Sequence, residues 1–163
     1  MTVTEWVRKA GLTKEDIPAQ LDCFMEESVD EWLSARTLDE AIDAFVDSAF
    51  VLHVLTTLGH IDLEMHDKLA DMYGDLMRAF PKLSHDDVSA WQTKVLEANF
   101  KKFTTSRHLA WHSSIMLAEQ GIANYVYPSE DVFVLKSYIN QTVNGKFYPK
   151  NKILKPIGWS APQ

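Results

Sequence analysis

The chain has 163 residues, 46% of them apolar and 24% charged, with a net charge of −7. That suffices for the core of one ordinary domain and argues against a disordered tail, a collagen-like chain or a disulfide miniprotein, while the excess of acid speaks against nucleic-acid binding. Its single cysteine, Cys23, excludes an internal disulfide and a thiolate zinc cluster.

The elements are predicted in chain order. Residues 4–10 form one or two helical turns closed by Gly11. A second helix starts near Asp16, tolerates Pro18 in its first turn and runs to about Ala35. Thr37-x-x-Glu40 is a capping box that opens a third helix, which stops at Gly59. A fourth covers 62–80 and ends at Pro81. Ser84-x-x-Asp87 opens a fifth, which reaches about Phe103, and a sixth covers 106–120 up to Gly121. Beyond it, residues 132–139 (VFVLKSYI) are rich in β-formers and Asn144-Gly145 is a type I′ turn signal. Residues 146–153 are the expected return strand, kept at an edge by Pro149. The expected fold is all-α: one domain over 1–163, with a bundle of five to six helices over 4–121 and a basic tail over 131–163 carrying a small hairpin.

No apolar h-region of a secretory signal opens the chain, and the longest apolar stretch, residues 48–55, is too short to span a bilayer. The expectation is a cytoplasmic protein with neither membrane nor nucleic acid as a partner.

Charge is unevenly placed. All 23 acids lie at or before Asp131, whereas Lys136, Lys146, Lys150, Lys152 and Lys155 follow it with no acid among them. An acidic body and a basic end can simply attract each other. They can also form a two-sided site, in which carboxylates hold cations and lysines hold the phosphates those cations accompany.

Two segments carry that second reading. In Glu26-Glu27-Ser-Val-Asp30-Glu31, Glu26 and Asp30 are four apart on a helix, and Glu27 faces both Asp30 and Glu31. Such a stack of like charges is either screened by water or neutralised by a cation. The third helix is apolar on nearly every face from Ala44 to Leu55, and Asp47 interrupts it alone. A carboxylate in that setting must be paired, protonated or metal-bound. Asp43 lies one turn earlier on the same face. The alternative reading of this pair is a partly exposed helix start hydrogen-bonded to a neighbouring Ser or Trp. Together Glu26, Glu27, Asp30, Asp43 and Asp47 form an all-oxygen set suited to Mg²⁺ or Mn²⁺ rather than zinc. Glu27 is the candidate to orient or deprotonate a bound water.

These motifs resemble the all-α nucleoside triphosphate pyrophosphohydrolases, which include the MazG-like enzymes, the dimeric dUTPases and phosphoribosyl-ATP pyrophosphohydrolase. Glu26-Glu27-x-x-Asp30 is similar to their Glu-Glu-x-x-Glu. Ala44-x-x-Asp47 is similar to their Glu-x-x-Asp, with Ala in place of Glu and Asp43 standing one residue earlier. Ala98-Asn99-Phe-Lys-Lys102-Phe103 and Asn144-Gly145-Lys146…Lys155-Pro156 resemble two later segments of phage and bacterial members. The resemblance implies hydrolysis of a nucleoside triphosphate to the monophosphate and pyrophosphate. It also implies phosphate contacts from Asn99, Lys102, Lys146 and Lys155, and a homodimer or homotetramer. Ala44 favours the alternative, a nucleotide- or partner-binding bundle that has lost turnover.

His108 and His112 share a helical face but lack a third zinc ligand, and His53 is read as a core residue. Trp6, Phe24, Trp32 and Phe50 are read as core or as base-stacking groups.

Overall fold

The computed structural model describes residues 1–162. Gln163, the last residue of the expected tail, lies outside them. Six helices come first: α1 is Val3–Ala10; α2 runs as Ile17–Met25, Glu26–Glu31 and Trp32–Ser34; α3 is Leu38–Thr57; α4 is Leu63–Ala79; α5 is His85–Phe100; α6 is Arg107–Glu119. Local signals explain their ends. The side chains of Thr2, Thr37, Asp62, Ser84 and Ser106 each accept a first-turn backbone N–H, and Gly11 (φ 67°) and Gly59 (φ 89°) take the left-handed turn that follows a helix. At Thr37 the expected box is half made. Its hydroxyl accepts from Glu40 N–H, but the Glu40 carboxylate accepts from Arg36 N–H at 2.7 Å instead. α5 ends at Phe100, three residues earlier than expected. None of these helices is long and apolar enough to cross a membrane.

α3 is the central rod, packed against α1, α2, α4 and α5. Its apolar runs feed three parts of the core. Val54 and Leu58 meet Trp6 and Val7 of α1; Ile42, Phe45 and Val46 meet Met72 and Leu76 of α4 and Val95 of α5; Val51, Leu52 and Leu55 meet Phe24 of α2. An apolar helix hidden on most sides is stabilised chiefly by this burial, about 1.5–3 kcal/mol for each fully buried large aliphatic side chain.

The C-terminal part departs from expectation. Instead of one hairpin over 132–153 there are two. Strand β1, Asn124–Ser129, pairs antiparallel with β2, Val132–Ser137, and β3, Gln141–Val143, pairs antiparallel with β4, Lys146–Tyr148. The Asn144-Gly145 turn forms as read, with φ of 51° and 79°. It joins β3 to β4, however, while the β-rich run turns back through Glu130 (φ 50°) and Asp131 onto β1. The tail then adds to the other side of β2: Leu154 N–H donates to Leu135 O at 2.8 Å and Ser137 N–H donates to Lys152 O at 2.9 Å. That pairing brings Lys152 and Lys155 beside the helical body. Val132, Val134 and Ile153 pack on the α1–α3 core and fasten the sheet to the bundle.

Candidate functional site

One cavity of about 240 Å³ is walled by α2 and α3 on one side and by α5, β4 and the tail on the other. Glu26, Glu27, Glu31, Asp43 and Asp47 line it, and so do Lys102, Lys146, Lys152 and Lys155. The acidic body and the basic tail therefore meet here.

The carboxylate wall has a local cause. Residues Glu26–Glu31 are wound as a π-turn, in which Trp32 N–H reaches back five residues to Glu27 O. The wider turn keeps Glu31 over Glu27 and swings Asp30 off that face. Asp30 is exposed, does not line the cavity, and borders an adjoining groove that shares Glu26, Lys146 and Lys152 with it. Of the five expected metal ligands, then, Glu26, Glu27, Asp43 and Asp47 share the cavity and Asp30 stands outside it. One ligand oxygen each from Glu27, Glu31 and Asp47 lies within 4.8 Å of the other two; no other group of three His, Cys, Asp or Glu side chains converges this closely among the described residues.

Crowding shifts these acids. Burial pushes the Glu27 carboxyl up to about 10, helped by the hydrogen bond that its protonated form makes with Glu31 and by the charge of Asp47. Burial likewise pushes Asp47 up to about 7, with the charge of Asp43 adding to it and that of Lys102 opposing it. Glu27 Oε2 is buried and has no hydrogen-bond partner. An all-oxygen donor set with crowded like charges and an orphaned buried oxygen fits a hard divalent cation, which takes carboxylate oxygens and completes its shell with water or phosphate. Asp43 is less available, because Trp91 Nε1–H donates to its Oδ1 at 3.2 Å. Ala44, at the place of the resembled family's Glu, is 1% exposed and belongs to the core.

The basic wall is pinned just as firmly. Asn99 Nδ2 donates to Val95 O at 2.9 Å, which turns Oδ1 outward to accept from Lys102 Nζ at 2.9 Å. Burial, and then the charge of Lys155, lowers the Lys102 ammonium to about 8. Two aromatic rings hold the four lysines in pairs. Lys102 and Lys155 lie 5.4 and 4.5 Å from the Trp159 ring centroid, and Lys146 and Lys152 lie 5.6 and 5.7 Å from that of Tyr148. Trp159 is itself anchored by donation from Nε1 to Ala98 O at 2.7 Å. Lys152 also reaches Glu26 at 3.7 Å, bridging the two walls.

Asn99, Lys102, Lys146 and Lys155 thus share the cavity with four of the five expected acids. Sequence reading does not count Glu31 among the ligands, names Lys152 only as one of the tail lysines, and does not single out Trp159. Helical spacing already sets Glu31 over Glu27, but that Asp30 drops out needs the π-turn, and Trp159 enters only through the way the tail returns. Trp6 is core, stacked on Phe103 and bonded through Nε1–H to Asn99 O at 3.0 Å, though its edge lines the cavity. His53 is exposed rather than buried, as are His108 and His112. Comparison with protein-family models, curated proteins and solved structures returns no significant match.

Proposed function

We propose that this chain is a divalent-cation-dependent nucleotide pyrophosphohydrolase, which splits a nucleoside triphosphate into the monophosphate and pyrophosphate. One observation carries the reading: a three-carboxylate cluster and four lysines face each other across a single cavity. Carboxylates alone suit many cations, and lysines alone suit any anion. Both together suit a cation–polyphosphate pair. Glu27, Glu31 and Asp47 would hold Mg²⁺ or Mn²⁺, with Glu26 and Asp43 beside them. Such an ion polarises phosphoryl oxygens and acidifies a bound water. Once the cation has displaced the proton that Glu27 itself carries, Glu27 would orient that water and take its proton. Lys102, Lys146, Lys152 and Lys155 bind phosphate oxygens, and Asn99 sets the direction of Lys102. Water adds to phosphorus on one side of the α–β anhydride, and the bridging oxygen leaves with the other phosphate. The reading includes a homodimer or homotetramer, which sedimentation measures.

Pyrophosphate release from a panel of nucleoside triphosphates, with and without Mg²⁺, tests the activity. The bond from Trp91 to Asp43 favours a second reading, a nucleotide-binding protein without turnover, because it occupies an acid the cation would otherwise use. Mg²⁺-dependent nucleotide binding with no product, unchanged in Asp47→Asn, would favour that second reading.

A further inference from the structure

Lys146, Lys152 and Lys155 line two cavities. Besides the carboxylate cavity they border a second one of about 330 Å³, within the size range of small-molecule pockets. Its walls have a different chemistry. Met116 and Leu117 come from α6, Ile122 from the turn into β1, and Leu154 and Ile157 from the tail, and no carboxylate lines it among the described residues. The tail is fixed in place there, since Ile157 N–H donates to Ser113 Oγ of α6 at 3.0 Å. The Tyr148 ring, on which Lys146 and Lys152 rest, lines the second cavity and not the first. Gln120, whose side-chain amide offers both donors and an acceptor, also lines the second cavity.

A phosphate chain on these lysines has two sides. Toward the acids it meets crowded negative charge, which only a cation relieves. Toward the second cavity it meets apolar side chains, which reward burial of an uncharged group. We infer that the second cavity is the subsite for the organic end of the phosphate ester, an uncharged planar heterocycle on its sugar, with Met116 and Ile122 setting its shape and Gln120 reading its hydrogen-bonding edge. This rests on the phosphate-binding reading of the first cavity.

The test compares two ligands with and without the organic end. Binding of inorganic tripolyphosphate and of the α,β-imido analogue of each of four deoxynucleoside triphosphates, whose α–β bridge resists the proposed hydrolysis, is measured calorimetrically in Mg²⁺. The wild type should bind at least one nucleotide about tenfold or more tightly than tripolyphosphate, equivalent to about 1.4 kcal/mol. Met116→Trp, at a residue 38% exposed, should fill the subsite and erase that advantage while tripolyphosphate binds as before. Gln120→Leu should lower nucleotide affinity several-fold, also without touching tripolyphosphate, and it carries the test alone if the tryptophan variant fails to fold. An advantage that survives both substitutions overturns the subsite, as does an equal loss for both ligands, or a wild type that binds nucleotide and tripolyphosphate alike. A wild type that binds no tripolyphosphate in Mg²⁺ overturns the phosphate reading and the subsite with it.

Discussion

Lys102 donates to Asn99 Oδ1 at 2.9 Å, and the other end of the Asn99 amide is bonded to Val95 O, so the ammonium is held by a group that cannot turn away. Asn99 is 8% exposed, which shields this pair from water. A hydrogen bond to a charged group contributes about 1.5–3 kcal/mol. Asn99→Leu keeps the bulk and removes the acceptor. Affinity for Mg²⁺-tripolyphosphate, measured by calorimetry, should fall about ten- to hundredfold. An unchanged affinity would remove Lys102 from the phosphate grip.

In the absence of divalent cations, the melting temperature should fall as pH rises from about 5 to about 8. Glu27 is raised from 4.5 to about 10 and Asp47 from 3.8 to about 7, so above the unfolded values the folded chain keeps protons that the unfolded chain has released. The stabilisation is present in full below the unfolded values. It is lost as pH climbs through about 7 for Asp47 and on towards about 10 for Glu27. Lys102, lowered from 10.5 to about 8, acts in the opposite sense, but only above about 8. Each 1 kcal/mol moves the melting temperature of a chain this size by about 2–4 °C, so calorimetry resolves the slope. Millimolar Mg²⁺ should flatten it, because the cation replaces the proton. A slope that Mg²⁺ leaves untouched would mean that the cluster binds no cation.

Asp47→Asn separates stability from function by sign. Without a cation the variant loses like-charge repulsion inside the bundle and should melt higher than the wild type at pH 8, by about 2–4 °C. With Mg²⁺ it should lose the cation-dependent rise in melting temperature. Pyrophosphate release should drop by about a hundredfold, the upper end of the loss for residues that merely support a metal ligand. A variant that melts lower without cation and turns over normally would make Asp47 an ordinary packing residue.

Much of the fold was legible because it rests on local signals. Caps at Thr37, Asp62 and Ser84 and stops at Gly11 and Gly59 are set by a few neighbouring residues. The lone Asp47 in an apolar helix pointed to the acidic wall for the same reason. Strand pairing is a longer-range matter. The Asn144-Gly145 turn signal points to a partner after the run 132–139, whereas its partner is the preceding segment 124–129, where Pro128 interrupts the β-like texture. The basic wall was half legible. The sign asymmetry predicted that lysines of the tail would meet the acids, but Lys152 and Trp159 enter the site only because residues 152–154 add to the free side of β2. A π-turn leaves no trace in composition or periodicity, and it decides that Asp30 leaves the face shared by Glu27 and Glu31.

That turn supplies the sharpest comparison of neighbours. Read as an α-helix, residues 26–31 put Asp30 one turn after Glu26 and on the cluster. Wound as a π-turn, they turn Asp30 off that face and keep Glu31, itself exposed, with its carboxylate in the 4.8 Å group of Glu27 and Asp47. Glu31→Gln should weaken Mg²⁺ binding by about tenfold or more, read from the cation dependence of the melting temperature and of pyrophosphate release. Asp30→Asn should change either quantity by less than about twofold, as a surface substitution does. Deleting Asp30 is the structural counterpart. It shortens the turn by one residue and leaves Glu26, Glu27 and Glu31 at the i, i+1 and i+4 spacing of a regular helix, so the Mg²⁺ response should survive. If the Mg²⁺ response instead follows Asp30 and ignores Glu31, the segment is an ordinary helix in solution and the acidic wall must be redrawn.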